Sequence, residues 1–209
     1  MAAANRPTPY EPCRAVAAMP HRASERRRVY RNAATLALLA ALLSAATGSL
    51  SPPATGDAST VDFGYGVTLT VAPGWTVANQ GAHYANLVKG SGQKGGMDVS
   101  AGTANTHDIN QEAAMLIGQD IKARGLSNVK QQPQVQVQVL QAKNFQQSLP
   151  INYTADVHTA QGTFPAFGTW IELFNPSAQR AAFIDFYAIS GDAFQASLPE
   201  AQGMIASML

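Results

Sequence analysis

Alternation with a period of two is the strongest constraint on how this chain folds. Ile151, Tyr153, Ala155 and Val157 alternate with Asn152, Thr154, Asp156 and His158. An extended strand with that order is apolar on one face and polar on the other. The same pattern appears in Gly66-Val67-Thr68-Leu69-Thr70-Val71 and resumes at Trp75-Thr76-Val77 after the Pro73-Gly74 turn, so residues 65–79 read as a hairpin. Residues 84–89 and 97–101 are two further short strands, joined by the glycine-rich connection 90–96. Val135, Val137 and Val139 then alternate with glutamines. Gln161-Gly162 turns the chain into residues 164–174, and Asn175-Pro176-Ser177 turns it into residues 181–189. That last segment is apolar on both faces, as a strand covered from both sides is.

Two stretches of the body change the period from two to that of a helix. Ile109, Ala113, Leu116, Ile117 and Ile121 fall on one helical face, with Asp108 as N-cap, Gln111 three residues on and Gly125 as the stop. Leu198, Ala201, Met204, Ile205 and Met208 give a closing helix its apolar face, and Ser197-Leu198-Pro199-Glu200 is its expected capping box. The order is four short strands, a helix, about four longer antiparallel strands and a final helix. This predicts an α+β fold, a mostly antiparallel β-sheet covered by helices in an α/β/α sandwich.

A different segment precedes this body. Residues 33–43 are apolar except for Thr35 and follow Arg22, Arg26, Arg27, Arg28 and Arg31. The run is short for a membrane span, which needs about 20 residues, and suits the core of a signal peptide. It lacks the polar stripe of a soluble surface helix. Small residues at Ser44-Ala45-Ala46 offer a cleavage site, and an anchor retained through residues 33–50 is the alternative. Translation from Met19 would give the leader an ordinary length. The organisation expected is a basic leader over residues 1–46, a linker over 47–60 and a folded domain over 61–209.

Charge follows the same division. Seven arginines against two glutamates give residues 1–50 a net +5, while seven basic against eleven acidic groups give residues 51–209 a net −4. Charged residues make up 13% of the chain, about half the ~25% usual in soluble proteins. Lys89, Lys94, Lys122, Arg124, Lys130, Lys143 and Arg180 are too scattered to form a nucleic-acid-binding face. The one cysteine, Cys13, precedes the apolar run, so the body has no disulfide and no thiolate metal site. Location outside the cytoplasm is the expectation, secreted or in the cell envelope.

The opening strand with Pro73-Gly74-Trp75, the single mid-chain helix, the long hairpin strands and the closing Met204-Ile205-Ala206-Ser207-Met208-Leu209 helix resemble the PsbP-like fold shared with the Ran-binding Mog family. With its basic Ala/Leu leader, the chain is similar to the mycobacterial LpqN-like envelope lipoproteins, although it has no cysteine just after the apolar run. The resemblance implies a non-enzymatic binding or adaptor domain, with an envelope membrane protein or a lipid as partner and no cofactor.

No residue pattern adds a catalytic motif to this. Lys94 in the 90–96 loop lacks P-loop spacing, and residues 108–112 begin like a calcium loop but place Ala113 where glycine is required. Asn152-Tyr153-Thr154 spells a glycosylation sequon. His83, His107 and His158 lack the i, i+4 spacing of a helical zinc site, and no metal is expected. His158 and Asp156 share a strand face, and with Glu172 or Asp185 they are the residues a hydrolase would use, the alternative function. Asp185 stands among apolar residues and needs a cation, for which Arg180 or Lys143 is expected. Trp75, Tyr84, Trp170 and Phe174, with Phe183, are the candidates for lining an apolar ligand groove. A structural or antigenic secreted protein is the third reading. Amino-terminal sequencing of the exported protein is expected to read from near Thr47 or Ser49, whereas an intact leader in the membrane fraction would mean an anchor.

Overall fold

The computed structural model describes residues 59–90, 95–133 and 136–209. The leader and most of the linker therefore lie outside the described residues, as do Lys94 and Val135. The chain forms β1 (Thr60–Asp62), β2 (Thr68–Thr70), β3 (Trp75–Gln80), β4 (Tyr84–Lys89), β5 (Gly96–Thr103), α1 (Ile109–Arg124), β6 (Leu126–Gln131), β7 (Gln138–Val139), β8 (Gln147–Thr159), β9 (Gly162–Asn175), β10 (Arg180–Ala188) and α2 (Gly191–Ala206). Strands β1 and β2 pair with each other. The other eight form one sheet in the order β3-β4-β5-β10-β9-β8-β6, with β7 beside β8. Every pairing is antiparallel. The fold is α+β, a mostly antiparallel sheet with a helix on each face.

Strand parity sorts the side chains into two cores. Ile171, Leu173, Ile184 and Phe186 join Phe194, Ala201, Met204 and Ile205 of α2, together with Phe63, Val67, Leu69, Trp75 and Leu87. Trp170, Phe174 and Phe183 point the other way and join Ile109, Ala113 and Ile117 of α1, with Leu149, Ile151 and Tyr153 of β8. As expected, β10 is buried on both faces, from Ala181 to Phe186. It is the central strand, between β5 and β9.

Helix α1 begins and ends where its sequence predicts. The Asp108 carboxylate accepts from the backbone N–H groups of Asn110 and Gln111, and Gly125 closes the helix at φ 62°, a left-handed conformation that costs glycine little. Helix α2 starts earlier than expected. Its N-cap is Ser190, which accepts from Ala193 N, so Ser197 is a buried residue within the helix and Pro199 is interior. The earlier start seats Phe194 against Phe186, with ring centroids 4.7 Å apart.

Three further expectations need correction. The hairpin over residues 65–79 does not form, because β2 pairs with β1 and β3 pairs with β4. The Pro73-Gly74 turn carries the chain from the small sheet to the large one, and both partners stay in one core through Leu69 and Trp75. Because β1 starts at Thr60 and Val71 N donates to Ser59 O, the fold takes in the last residues of the expected linker. An unforeseen strand, β6, follows α1 directly. It is an edge strand with only Leu126 buried and a register shift between Ser127 and Lys130, so it carries almost no alternation.

Two tyrosines lie flat on the sheet because their cross-strand partners are glycines. Tyr153 faces Gly168, and Tyr187 faces Gly96. A Cβ at either glycine would sit inside the van der Waals envelope of the tyrosine ring. Gly168→Ala is expected to lower unfolding stability by about 1–3 kcal/mol, the usual cost of overpacking, measured by urea denaturation. A change near zero would mean that Tyr153 moves freely.

Candidate functional site

The face of the sheet beneath α1 carries the chain's unusual polar chemistry. Asn86, Asp98, Asp185, Trp170 and Ile151 stand opposite one another along a row across β4, β5, β10, β9 and β8. Asp185 is fully buried at the middle of that row. Its cation is Arg124 in the last turn of α1, which forms an ion pair with it. Neither Arg180 nor Lys143 takes that part. Helix α1, packed over this face of the sheet, delivers Arg124 instead. The Tyr153 hydroxyl donates to Asp185 Oδ1 at 2.8 Å and accepts from Arg124 at 3.2 Å. The Arg124 guanidinium also lies 3.8 Å from the centre of the Tyr187 ring, a cation–π contact.

Asp120, one turn before Arg124, extends the network. It accepts from Trp170 Nε1 at 2.8 Å and lies 4.0 Å from Arg124. Trp170 stacks on Tyr153 with centroids 3.8 Å apart. Burial raises the Asp120 carboxyl above its ordinary value, the Trp170 and Arg124 contacts pull it back, and Asp98 adds to the rise. Burial likewise raises Tyr153 and Tyr187, so both hydroxyls stay protonated. For Arg124, burial works against the charge, but the surrounding tyrosines and Asp120 outweigh it and the net direction is upward.

Beside this network is an open cleft of about 230 Å³, lined by Tyr84, Asn86, Asp98, Ser100, Gln119, Asp120 and Phe183, among others. It exists because α1 packs over β9, β8 and β6. On β4 and β5 the residues facing the α2 side, such as Ala85, Leu87, Met97 and Val99, are buried. Asn86, Asp98 and Ser100 on the α1 side are only half-buried. Asn86 Nδ2 donates to Asp98 at 2.8 Å, and Tyr84 is 44% exposed at the rim.

The four aromatic candidates do not form one groove. Trp75 belongs to the α2 core, where its indole N–H donates to Glu200 at 3.0 Å and Lys89 pairs with the same carboxylate. Trp170 and Phe174 are fully buried in the α1 core, on the opposite face. Tyr84 alone reaches the open cleft, with Phe183 at its floor. These positions are apolar for packing reasons, and parity separates them.

The His158 grouping is not assembled. His158 is exposed near the tip of the β8–β9 hairpin, hydrogen-bonded to Ser127 and Thr163 at 2.8 Å each. Asp156 instead accepts from Asn128 at 2.6 Å. Glu172 pairs with Leu149, nine residues along β8 from His158, or about 30 Å of strand. Asp185 lies opposite Trp170, and Trp170 lies opposite Ile151, seven residues from His158. His83 donates from Nδ1 to Phe63 O at 2.9 Å, and His107 bonds to Gln179. Among the described residues no group of three or more His, Cys, Asp or Glu side chains could hold a metal ion. Asn152 of the sequon is half-buried in mid-strand and accepts from Thr169.

In the sequence Arg124 reads only as one scattered cation, and Asp120 is not among the candidate residues. The signal available was their i, i+4 spacing at the end of an amphipathic helix above a strand with a stranded carboxylate.

The chain matches no protein-family model and no curated protein. Among solved structures it is similar to cyanobacterial PsbP (CyanoP) from Synechocystis sp. PCC 6803, with 8% identity and a TM-score of 0.49 over 77% of this chain and 96% of that one. It is also similar to the Ran-binding protein Mog1p of Saccharomyces cerevisiae, with 11% identity and a TM-score of 0.44 over 74% and 88%. A protein of unknown function from Pseudomonas aeruginosa, described as a putative regulator, gives 7% identity and a TM-score of 0.37 over 74% and 97%.

Removing Arg124 leaves Asp185 buried without a cation. Arg124→Met is expected to cost about 3–5 kcal/mol of stability, and Arg124→Met with Asp185→Leu to recover most of it. Urea denaturation of the two variants checks this. An additive double variant would mean that the pair is not coupled.

Proposed function

We propose that the domain is a non-enzymatic binding or adaptor module of a bacterial cell envelope, carried out of the cytoplasm by its basic leader and docking a polypeptide partner at the cleft beside α1. The observation that carries the reading is the cleft itself. It joins an exposed aromatic ring, an amide pair and two carboxylates over an apolar floor. Such a mixture suits a protein segment with polar or basic side chains better than an acyl chain, because an acyl chain would desolvate those groups without pairing them. Trp75, Trp170 and Phe174 support packing rather than a lipid groove, since each is buried in a core. The apolar leader over residues 33–43 supports the location.

Site-directed photo-crosslinking in the native cells tests this. A photoreactive residue at Gln119 is expected to capture a defined envelope protein, and one at Gln161, on the distant hairpin tip, to capture none. Tyr84→Ala with Asp98→Asn should weaken capture about tenfold, which is about 1.4 kcal/mol. Equal capture at both positions, or capture indifferent to the double variant, would overturn the docking site. A co-purified lipid seen by native mass spectrometry and lost in the double variant would replace the polypeptide partner by a lipophilic one.

A further inference from the structure

Glu172 lies on β9 within the α1 core, 1% exposed, between Leu149 of β8 and Phe183 of β10 in the strand register. Neither of its carboxyl oxygens has a hydrogen-bond partner among the described residues. Glu112, in the first turn of α1, is equally buried but fully supplied with donors. Asn105 N donates to both its oxygens at 3.0–3.1 Å, Asn105 Nδ2 donates at 2.8 Å and Thr106 N at 2.8 Å. These bonds fasten the loop before α1 to the helix. One carboxyl group thus anchors the start of α1, while the other is buried on the sheet face that α1 covers, with nothing to stabilise a charge.

We propose that Glu172 and Glu112 form a proton-operated latch between α1 and the sheet: Glu172 keeps its proton while the first turn of α1 is seated, and its ionisation unseats that turn together with the loop of residues 104–108. Burial first, and the charge of Glu112 second, hold the Glu172 carboxyl well above the ordinary carboxylate range. The groups around it offer no relief. Helix α1 presents Glu112, and β8 and β10 present Leu149 and Phe183. Its own strand presents Trp170 and Phe174 on this face. Asp108 and His107 of the preceding loop are exposed, and Arg124, at the far end of α1, is paired with Asp185.

The direction of the pH effect follows. Once unseated, Glu172 meets water and returns toward its ordinary value of 4.5. The seated form therefore binds the proton more tightly. Seating is fully favoured below that value, weakens as pH rises above it, and stops changing once pH passes the seated-form value. Inside that window the unseating constant rises by up to about tenfold per pH unit. Because Leu116, Gln119 and Asp120 of the same helix wall the cleft, the latch sets how firmly that wall is held.

Hydrogen exchange of the full chain tests the proposal between about pH 5 and about pH 9, with rates normalised for intrinsic base catalysis. The amides of residues 112–115 are expected to open at least about tenfold more readily at the upper end, while those at the centre of β9 and β10 stay unchanged. Glu172→Gln and, independently, Glu172→Leu should abolish that pH dependence. A flat wild-type profile overturns the latch, and so does a folded variant that keeps the wild-type slope.

Discussion

A fully buried carboxylate on the central strand is the fact around which the α1 half of the molecule is organised. Asp185 has neighbours on both flanking strands and a helix above it. An isolated charge in such a place is far too costly to persist. Arg124 answers it from the last turn of α1, a position that also suits a cation electrostatically. Once the guanidinium is in place, the Tyr153 hydroxyl, the Tyr187 ring and Asp120 follow as its remaining contacts. The ion pair fixes where the helix end can lie, since a slip of one residue would turn Arg124 about 100° away from Asp185.

The two faces of the sheet therefore hold their helices by different means. Under α2 the contact is almost wholly apolar, with Phe186 on Phe194 and Ile184, Leu173 and Met204 nearby. Under α1, apolar contacts are interspersed with buried polar groups, Glu112 in the first turn and the Arg124–Asp185 pair at the far end. Apolar contacts tolerate small shifts, whereas a hydrogen-bonded ion pair does not. The glycines at 168 and 96 belong to this second system, since they let the tyrosine rings lie low enough to meet Arg124.

The fold class, the identity of α1 and its two caps, the doubly buried β10 and the long β8–β9 hairpin could all be read from residue order. Each rests on a local signal: a period of two, a period of 3.6, or a capping side chain next to its helix. What escaped depended on partners distant in sequence. Leu69 and Trp75 look like two arms of one hairpin until the fold sends them to different sheets. Strand β6 has one buried residue and a bulge, so it leaves no alternation to detect. Asp185 was recognisably in need of a cation, but that cation came from 61 positions earlier along the chain, as the Arg124–Asp185 pairing shows. Trp75 and Trp170 share a residue type but lie on opposite faces of the sheet.

The position of β10 also dictates the order in which the molecule can be completed. On one side of it stands β5, which ends at Thr103; on the other stands β9, which reaches Asn175. The meander β3-β4-β5 and the hairpin β8–β9 each contain only local pairings and can form as the chain appears. They touch as one sheet only when the segment from Arg180 onward slots between them. Until then the edge of β5 from Gly96 to Thr103 presents unpaired backbone groups, an open template for any other extended chain. Closing it pairs residues far apart in sequence, Thr103 with Arg180 and Gly96 with Tyr187, and such long-range contacts are slow to find. A chain threaded amino end first would expose that edge for the whole time its last strand remained behind. Pairing of β5 with β10 therefore removes a strand edge that the two local sub-structures leave open.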